Sequence, residues 1–270
     1  MRIGAVFSQA DSGTDPTAIR QWAIDVEAAG FEHLMAYDHV LGASTARLGP
    51  GPFGSFPAAP YTSEHTFHEI LVLFSHLAAL TTRMSFITSV LVLPQRQTAV
   101  VAKQVASIDL LSGGRIRLAV GVGWNAAEYE GLGVDFADRT ALLEEQIDVM
   151  RLLWTQPLVD FDGRFHHLHG VGINPLPTPL LIPGLDSIDI GTAVTKLRHF
   201  AEEAGRDPVT LPIHGRVYIG PGWQAALDTA LELGFADCSI GFNRLAQPGL
   251  SHAEHLADIA AKPEIDARVA

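Results

Sequence analysis

Short apolar runs alternate with amphipathic stretches through the first half of the chain, and the two periods set the expected elements. Ile3 to Phe7 is an apolar run of strand length. Asp15-Pro16 opens a helix, with Asp15 as N-cap and Pro16 in the first turn; Ile19, Trp22, Ala23, Val26 and Ala29 share one face and Gly30 ends it. Leu34 to Tyr37 is the second strand, with Asp38-His39 at its carboxyl end. From Leu41 to Thr62 the pattern loses its period and becomes rich in Gly and Pro; a loop this long is expected to cover a functional site. Helical spacing returns over His65 to Leu80, followed by a strand over Met84 to Val92 and a helix over Gln97 to Leu111.

The next stretch, LLSGGRIRLAVGVGWNAAE (110–128), organises the rest. Gly113 and Gly114 suit a helix C-cap, Ile116 to Val120 reads as a strand covered on both faces, and Gly121-Val122-Gly123 turns into a helix that Asn125 can cap. In a parallel α/β protein such a turn lies where ligands bind, and its bare N–H groups suit a polar or anionic cofactor edge; it is equally an ordinary tight turn. Helical patterns follow over Asn125 to Leu132 and Arg139 to Trp154, then a hairpin over Val159 to Leu168 turning at Asp162-Gly163.

The second half is less regular. Four prolines fall in Ile173 to Gly184. A helix is expected over Gly191 to Gly205, a strand over Leu211 to Ile219, a helix over Trp223 to Leu233, a strand over Ala236 to Ile240 and a last helix over His252 to Ala261. Four strand–helix units in the first half imply a parallel sheet or barrel.

The length of 270 residues suits a single barrel domain over 1–270, since such barrels take roughly 250 residues, and 47% hydrophobic residues supply an ample core. The N-terminus reads as a strand and not as a signal peptide, and no apolar run reaches the roughly 20 residues of a spanning helix. The single Cys238 excludes an internal disulfide framework, and a cytoplasmic location is expected. A net charge of −12 argues against nucleic-acid and anionic-membrane partners. No metal site is expected: His166, His167 and His169 lie on a hairpin whose neighbouring residues point to opposite faces, and His252 and His255 do not form the metalloprotease pattern.

The run LSGGRIRLAVGVGWN (111–125), with AYDHV (36–40), SVLVLPQR (89–96), FDGRFHHL (161–168) and GINPLP (172–177), resembles the luciferase-like monooxygenase superfamily, and more narrowly its branch of F420-dependent oxidoreductases. The resemblance implies a TIM (β/α)8 barrel of the bacterial-luciferase-like type, with the cofactor at the carboxyl ends of the strands. It implies hydride transfer between coenzyme F420 and a small-molecule substrate. The alternatives are a reduced-FMN monooxygenase and a non-catalytic F420- or flavin-binding protein. Relatives are often dimers, which makes a homodimer one option and leaves the oligomeric state open. Against the family pattern, about two dozen residues, the size of one βα unit, are missing near Leu181. Either the chain lacks that unit or a disordered segment was dropped from the sequence. The second is expected, because deleting barrel strands exposes ladder groups. The missing stretch includes the Gly-Gly turn that helps hold the cofactor phosphate in relatives.

The same resemblance assigns site residues. His39 is the catalytic residue, hydrogen-bonding substrate or cofactor and relaying a proton; read from the sequence alone, Asp38-His39 is equally a cap beside a buried histidine. Asp38 contacts the cofactor ring or fixes the loop. Ser89 and Val90 carry a non-prolyl cis peptide beneath the cofactor. Gly121, Gly123 and Asn125 form the cofactor-binding turn, and Trp124 walls the pocket or packs in the core. Relatives acting on sugar phosphates or alcohols keep a glutamate just after this turn; Ala126 stands there, and Glu128 reads as a first-turn helix residue favoured by the dipole. Phe53, Phe56 and Tyr61 in the long loop suggest an apolar or aromatic substrate.

Overall fold

The computed structural model describes residues 1–49, 60–177, 180–183, 190–219 and 223–242. Ten strands and nine helices run through them in the order β1 (Arg2–Phe7), α1 (Gln9–Ser12), α2 (Pro16–Ala28), β2 (His33–Ala36), α3 (Thr45–Leu48), α4 (Ile70–Ala78), β3 (Ser85–Thr88), β4 (Leu91–Val92), α5 (Thr98–Ser112), β5 (Ile116–Gly121), α6 (Ala126–Gly131), α7 (Arg139–Thr155), β6 (Val159–Asp162), β7 (His167–Val171), β8 (Leu180–Pro183), α8 (Ile190–Glu203), β9 (His214–Ile219), α9 (Trp223–Glu232) and β10 (Asp237–Phe242).

Eight of the strands form one parallel sheet, ordered β4-β5-β3-β2-β1-β10-β9 with β8 also on β5. The sheet is strongly curled. Arg117 on β5 reaches Asp237 on β10 at 2.9 Å although β3, β2 and β1 lie between them, so the inward faces of distant strands look at each other. The outward face carries Ile3, Phe7, Leu34, Phe86, Leu118 and Ile240 into one core with Trp22, Phe74, Val101 and Val149 of the surrounding helices. The expected barrel is thus realised as a half-barrel. Among the described residues β8 pairs only with β5 and β9 only with β10, so the opening falls between β8 and β9, flanking Leu181. The full sequence runs continuously through Leu181, against the expectation that a segment was dropped there.

Most elements lie where the periodicity put them, and the departures have local causes. The helix expected from His65 begins at Ile70, because Glu69 caps it by accepting from Val72 N–H (2.8 Å). Upstream, His68 N–H is drawn to the buried Gln9 side chain (2.7 Å), and His65 closes a turn on Thr62 (3.0 Å). The long loop contains the short α3, capped by Ser44; its Phe53 and Phe56 lie outside the described residues, as does the helix expected over His252 to Ala261. β8, in the proline-rich stretch read as irregular, is a parallel strand in register with Arg117 to Val120. The hairpin forms as β6–β7, antiparallel, with Asp162 opposite His167.

The strand expected over Met84 to Val92 is broken into β3 and β4. Ile87 pairs with Arg117 but Leu91 pairs with Val120, so one residue more runs along this strand than along β5, as in a bulge. Thr88 bridges the break: its hydroxyl donates to Ala119 C=O (2.6 Å) and accepts from Ala119 N–H (2.9 Å). The Ser89–Val90 peptide within the break is cis, as the resemblance implied.

Candidate functional site

The carboxyl ends of β2, β4 and β5 bring the expected site residues together. At the end of β2, Asp38 is 2% exposed. Its carboxylate accepts from Val92 N–H (2.9 Å) and from Arg96 Nη2 (2.6 Å) and Nε (3.3 Å), and Arg96 also donates to Glu69 (2.6 Å). Burial alone would lower the Arg96 pKa, but Asp38 and Glu69 raise it, so the guanidinium stays charged. With both oxygens engaged in this way, Asp38 ties β2 to the strand beyond the bulge.

Gly121 and Gly123 lie directly on that strand. A Cβ at Gly121 would stand 2.6 Å from Val90 Cγ2, and one at Gly123, whose φ is +64°, would stand 2.7 Å from Val92 Cγ1. The glycines therefore let the β5 turn close onto the bulge, which a side chain would hold away. Asn125 follows and caps α6 by accepting from Ala127 N–H (3.1 Å).

Glu128 stands in the first turn of α6, as the sequence reads, but its carboxylate finds partners from other segments of the chain. It is 1% exposed, and its carboxylate turns back under the β2 loop. Oε1 accepts from Val40 N–H (2.9 Å) and Leu41 N–H (3.0 Å). Oε2 accepts from Tyr61 O–H (2.9 Å) and, more loosely, faces His39 Nδ1 and Gln95 Nε2, both at 3.4 Å. Burial pushes its pKa up, but the His39 contact, Leu41 N–H and Tyr61 O–H outweigh that and hold it below the ordinary carboxylate range. The signal that could have found this placement was the i to i+3 step from the cap, Asn125-Ala-Ala-Glu128, which puts the side chain over the N-terminal turn and back toward the strand ends.

His39 is enclosed by aromatic rings. Tyr61 stacks on it with centroids 3.6 Å apart and planes at 32°, Phe67 meets it edge-on at 4.9 Å, and Trp124 lies 6.5 Å away. Trp124 thus walls the site. A carboxylate only accepts, so the neutral imidazole that faces it carries its proton on Nδ1 and leaves Nε2 as a base. Tyr61 is 2% exposed and packs inside this cluster.

Other sequence candidates do not converge here. His167 and His169 sit on the exposed hairpin beside Asp162, at 3.0 and 3.6 Å, while His166 turns away to Glu145 (2.8 Å). No cluster among the described residues has the makings of a metal site. Arg216 lies over the Tyr37 ring, 5.2 Å from its centroid. Burial pushes the Cys238 thiol up to about 12, which removes it as a nucleophile. No helix among the described residues is long and apolar enough to cross a membrane.

Known proteins share this arrangement of strands. An uncharacterised protein of Mycobacterium tuberculosis is 35% identical over 267 residues, covering 87% of this chain and 88% of the relative. In fold, the chain is similar to an F420-dependent secondary alcohol dehydrogenase solved with an F420-acetone adduct (TM-score 0.69, 16% identity, 97% of this chain and 99% of that one). It is equally similar to the long-chain alkane monooxygenase LadA (TM-score 0.69, 14% identity, 99% and 91%). The sequence profile of luciferase-like monooxygenases matches residues 2–186, which hold the kinked strand, the glycine turn and every described residue of the His39 cluster, and the chain belongs to that family.

Proposed function

We propose that the protein is an F420-dependent oxidoreductase that passes a hydride between coenzyme F420 and a small organic substrate, with His39 as its proton-carrying residue. The observation that carries this reading is the His39–Glu128 pair at the carboxyl ends of the strands, beside the bulge at Ser89-Val90. The site suits a flat heterocycle with N–H and C=O edges. Gln95 Oε1 is buried without a hydrogen-bond partner, while its Nε2 faces Glu128. Ser89 and Val90 would support the ring from beneath, and Gly121 and Gly123 would let it approach the backbone of the turn. Asp38 and Asn125 act from behind, holding those segments in place. Bound F420 supplies or accepts the hydride.

The chain supplies the rest. Glu128 holds the His39 Nδ1 proton, so that Nε2 can take a proton from substrate or return one. As a proton arrives on Nε2, the imidazole becomes a cation beside a carboxylate that is already ionised, which favours the transfer. Tyr61, Phe67 and Trp124 keep water from the imidazole.

The equal fold similarity to LadA favours a second reading, a reduced-FMN monooxygenase. Titration of the purified protein with F420 and with FMN, followed by fluorescence, separates the two. F420 binding with anaerobic bleaching of its absorbance on addition of substrate supports the proposal. Oxygen consumption with reduced FMN supports the second reading. Tight binding with no turnover across a broad substrate panel would leave a cofactor carrier, and binding of neither would overturn all three.

A further inference from the structure

We infer that Tyr61 is the positioning residue of this site: its hydroxyl aims the Glu128 carboxylate and its ring fixes the plane of His39. The inference rests on the reading of His39 given above. Both hydrogen bonds of the hydroxyl have a determined direction. Asn125 Oδ1 is occupied by Ala127 N–H, so its Nδ2 faces Tyr61 and donates to the phenol oxygen (2.9 Å). Glu128 Oε2 can only accept, so the Tyr61 proton points at it (2.9 Å). Burial pushes the phenol far above its ordinary range, so this proton is not lost.

The ring does a second task. Stacking by Tyr61 on one face and edge contact by Phe67 at 89° restrict rotation of the imidazole, leaving Nδ1 toward Glu128. Tyr61 is itself well anchored. It stands at the neck of the long loop, where Ser63 N–H bonds Ala43 C=O (3.0 Å) and Gly42 has no room for a Cβ, which would meet Ser63 Cα at 2.5 Å. A phenylalanine would keep the stack. It would leave Asn125 Nδ2 without its acceptor and Oε2 one donor short, free to swing off His39.

The test is 15N NMR of the histidine-labelled wild-type chain and of Tyr61→Phe without cofactor, with the His39 signals assigned by their loss in His39→Asn. The wild-type chain is expected to show the Nδ1–H tautomer at His39 at mildly alkaline pH, and Tyr61→Phe a mixture of tautomers. By 13C titration the Glu128 carboxyl is expected at higher pH in the variant. With F420 and substrate, kcat falls about tenfold while cofactor affinity holds, as for loss of one hydrogen bond to a charged group. An Nε2–H tautomer in the wild-type chain overturns the inference, and so does a Tyr61→Phe variant with unchanged tautomer and Glu128 titration. If Tyr61→Phe does not fold, the wild-type tautomer decides alone. Failure of the chain to bind F420 or FMN would sink the functional reading and leave the NMR result standing.

Discussion

His39 and Glu128 stand 89 residues apart in the chain and face each other, Nδ1 to Oε2, at 3.4 Å. The distance is long for a hydrogen bond and equals that of Gln95 Nε2 to the same oxygen, while two backbone N–H groups and a phenol hold the carboxylate more closely. The arrangement fixes the carboxylate first and leaves the imidazole room to adjust. An acid–base pair that tightens only when substrate is present has this form.

Glu128→Gln tests the pair. The amide oxygen would take over the Val40 and Leu41 N–H groups, but its NH2 would face three donors at Oε2. We expect kcat to fall on the order of 100-fold or more, with cofactor affinity little changed. Stability changes in a defined pH window. The folded Glu128 pKa lies below its ordinary value of 4.5, so the stabilisation is present above pH 4.5 and is lost as pH falls through the folded value. The variant should therefore melt earlier than wild type at neutral pH, and the gap should narrow in acid. A gap that widens as pH falls below 4.5 would refute the assignment.

What the sequence could show divides along local and distant causes. Asp15 and Asn125 were legible as caps because a cap acts on the residues just after it. The parallel units were legible because apolar period survives in one dimension. Glu128 and Tyr61 were not, since their partners Val40, Leu41, His39 and Asn125 come from other segments of the chain. A carboxylate in a first helical turn looks like a dipole residue whether it faces water or a histidine. The barrel interior was hidden for a related reason. His33, Arg117, His214 and Ser239 alternate with apolar residues whose runs dominate the strand signal, and only the curl of the sheet shows that they meet.

The Asp38–Arg96 pair predicts a nonadditive result. Asp38 is shut from water, so Arg96→Met would leave its charge buried and unpaired, at a cost of about 3–5 kcal/mol by denaturant unfolding. Asp38→Asn in the same chain removes that charge, and the double variant should regain a good part of the loss. A double variant as unstable as the sum of the two single ones would show that the ion pair does not set the loop.

Gly4 on β1 is a second tight point. A Cβ there would stand 2.1 Å from His33 Cδ2 and 2.4 Å from His33 O, because the imidazole crosses over β1 to reach Ser239 on β10. Gly4→Ala must separate β1 from β2 or displace the ring, and we expect a loss near the upper end of the roughly 1–3 kcal/mol of overpacking. Unchanged melting of Gly4→Ala would mean that the strands part more easily than this packing allows.

The same imidazole carries the last prediction. His33 and His214 both bond Ser239 Oγ through Nε2, at 2.9 and 3.0 Å, and each leaves a buried Nδ1 without a partner. Burial lowers the pKa of both, and it brings His214 to about 4 from an ordinary 6.5. Arg2 and Arg117 add to the lowering at both rings and Arg216 at His214, while Asp237 opposes it there. In the unfolded chain each histidine takes up its proton near pH 6.5, whereas in the folded chain His214 resists down to about pH 4. The unfolded state therefore binds more protons across that interval, and stability falls as pH falls through it. His214 alone accounts for on the order of 3 kcal/mol between neutral pH and the lower end. Melting followed from pH 7 toward about pH 5, above the range in which ordinary carboxylates titrate, should already show this decline. His214→Gln, which keeps a donor for Ser239 and cannot ionise, should flatten it. A variant that loses stability with acid as steeply as wild type would place the source of the decline elsewhere than this buried pair.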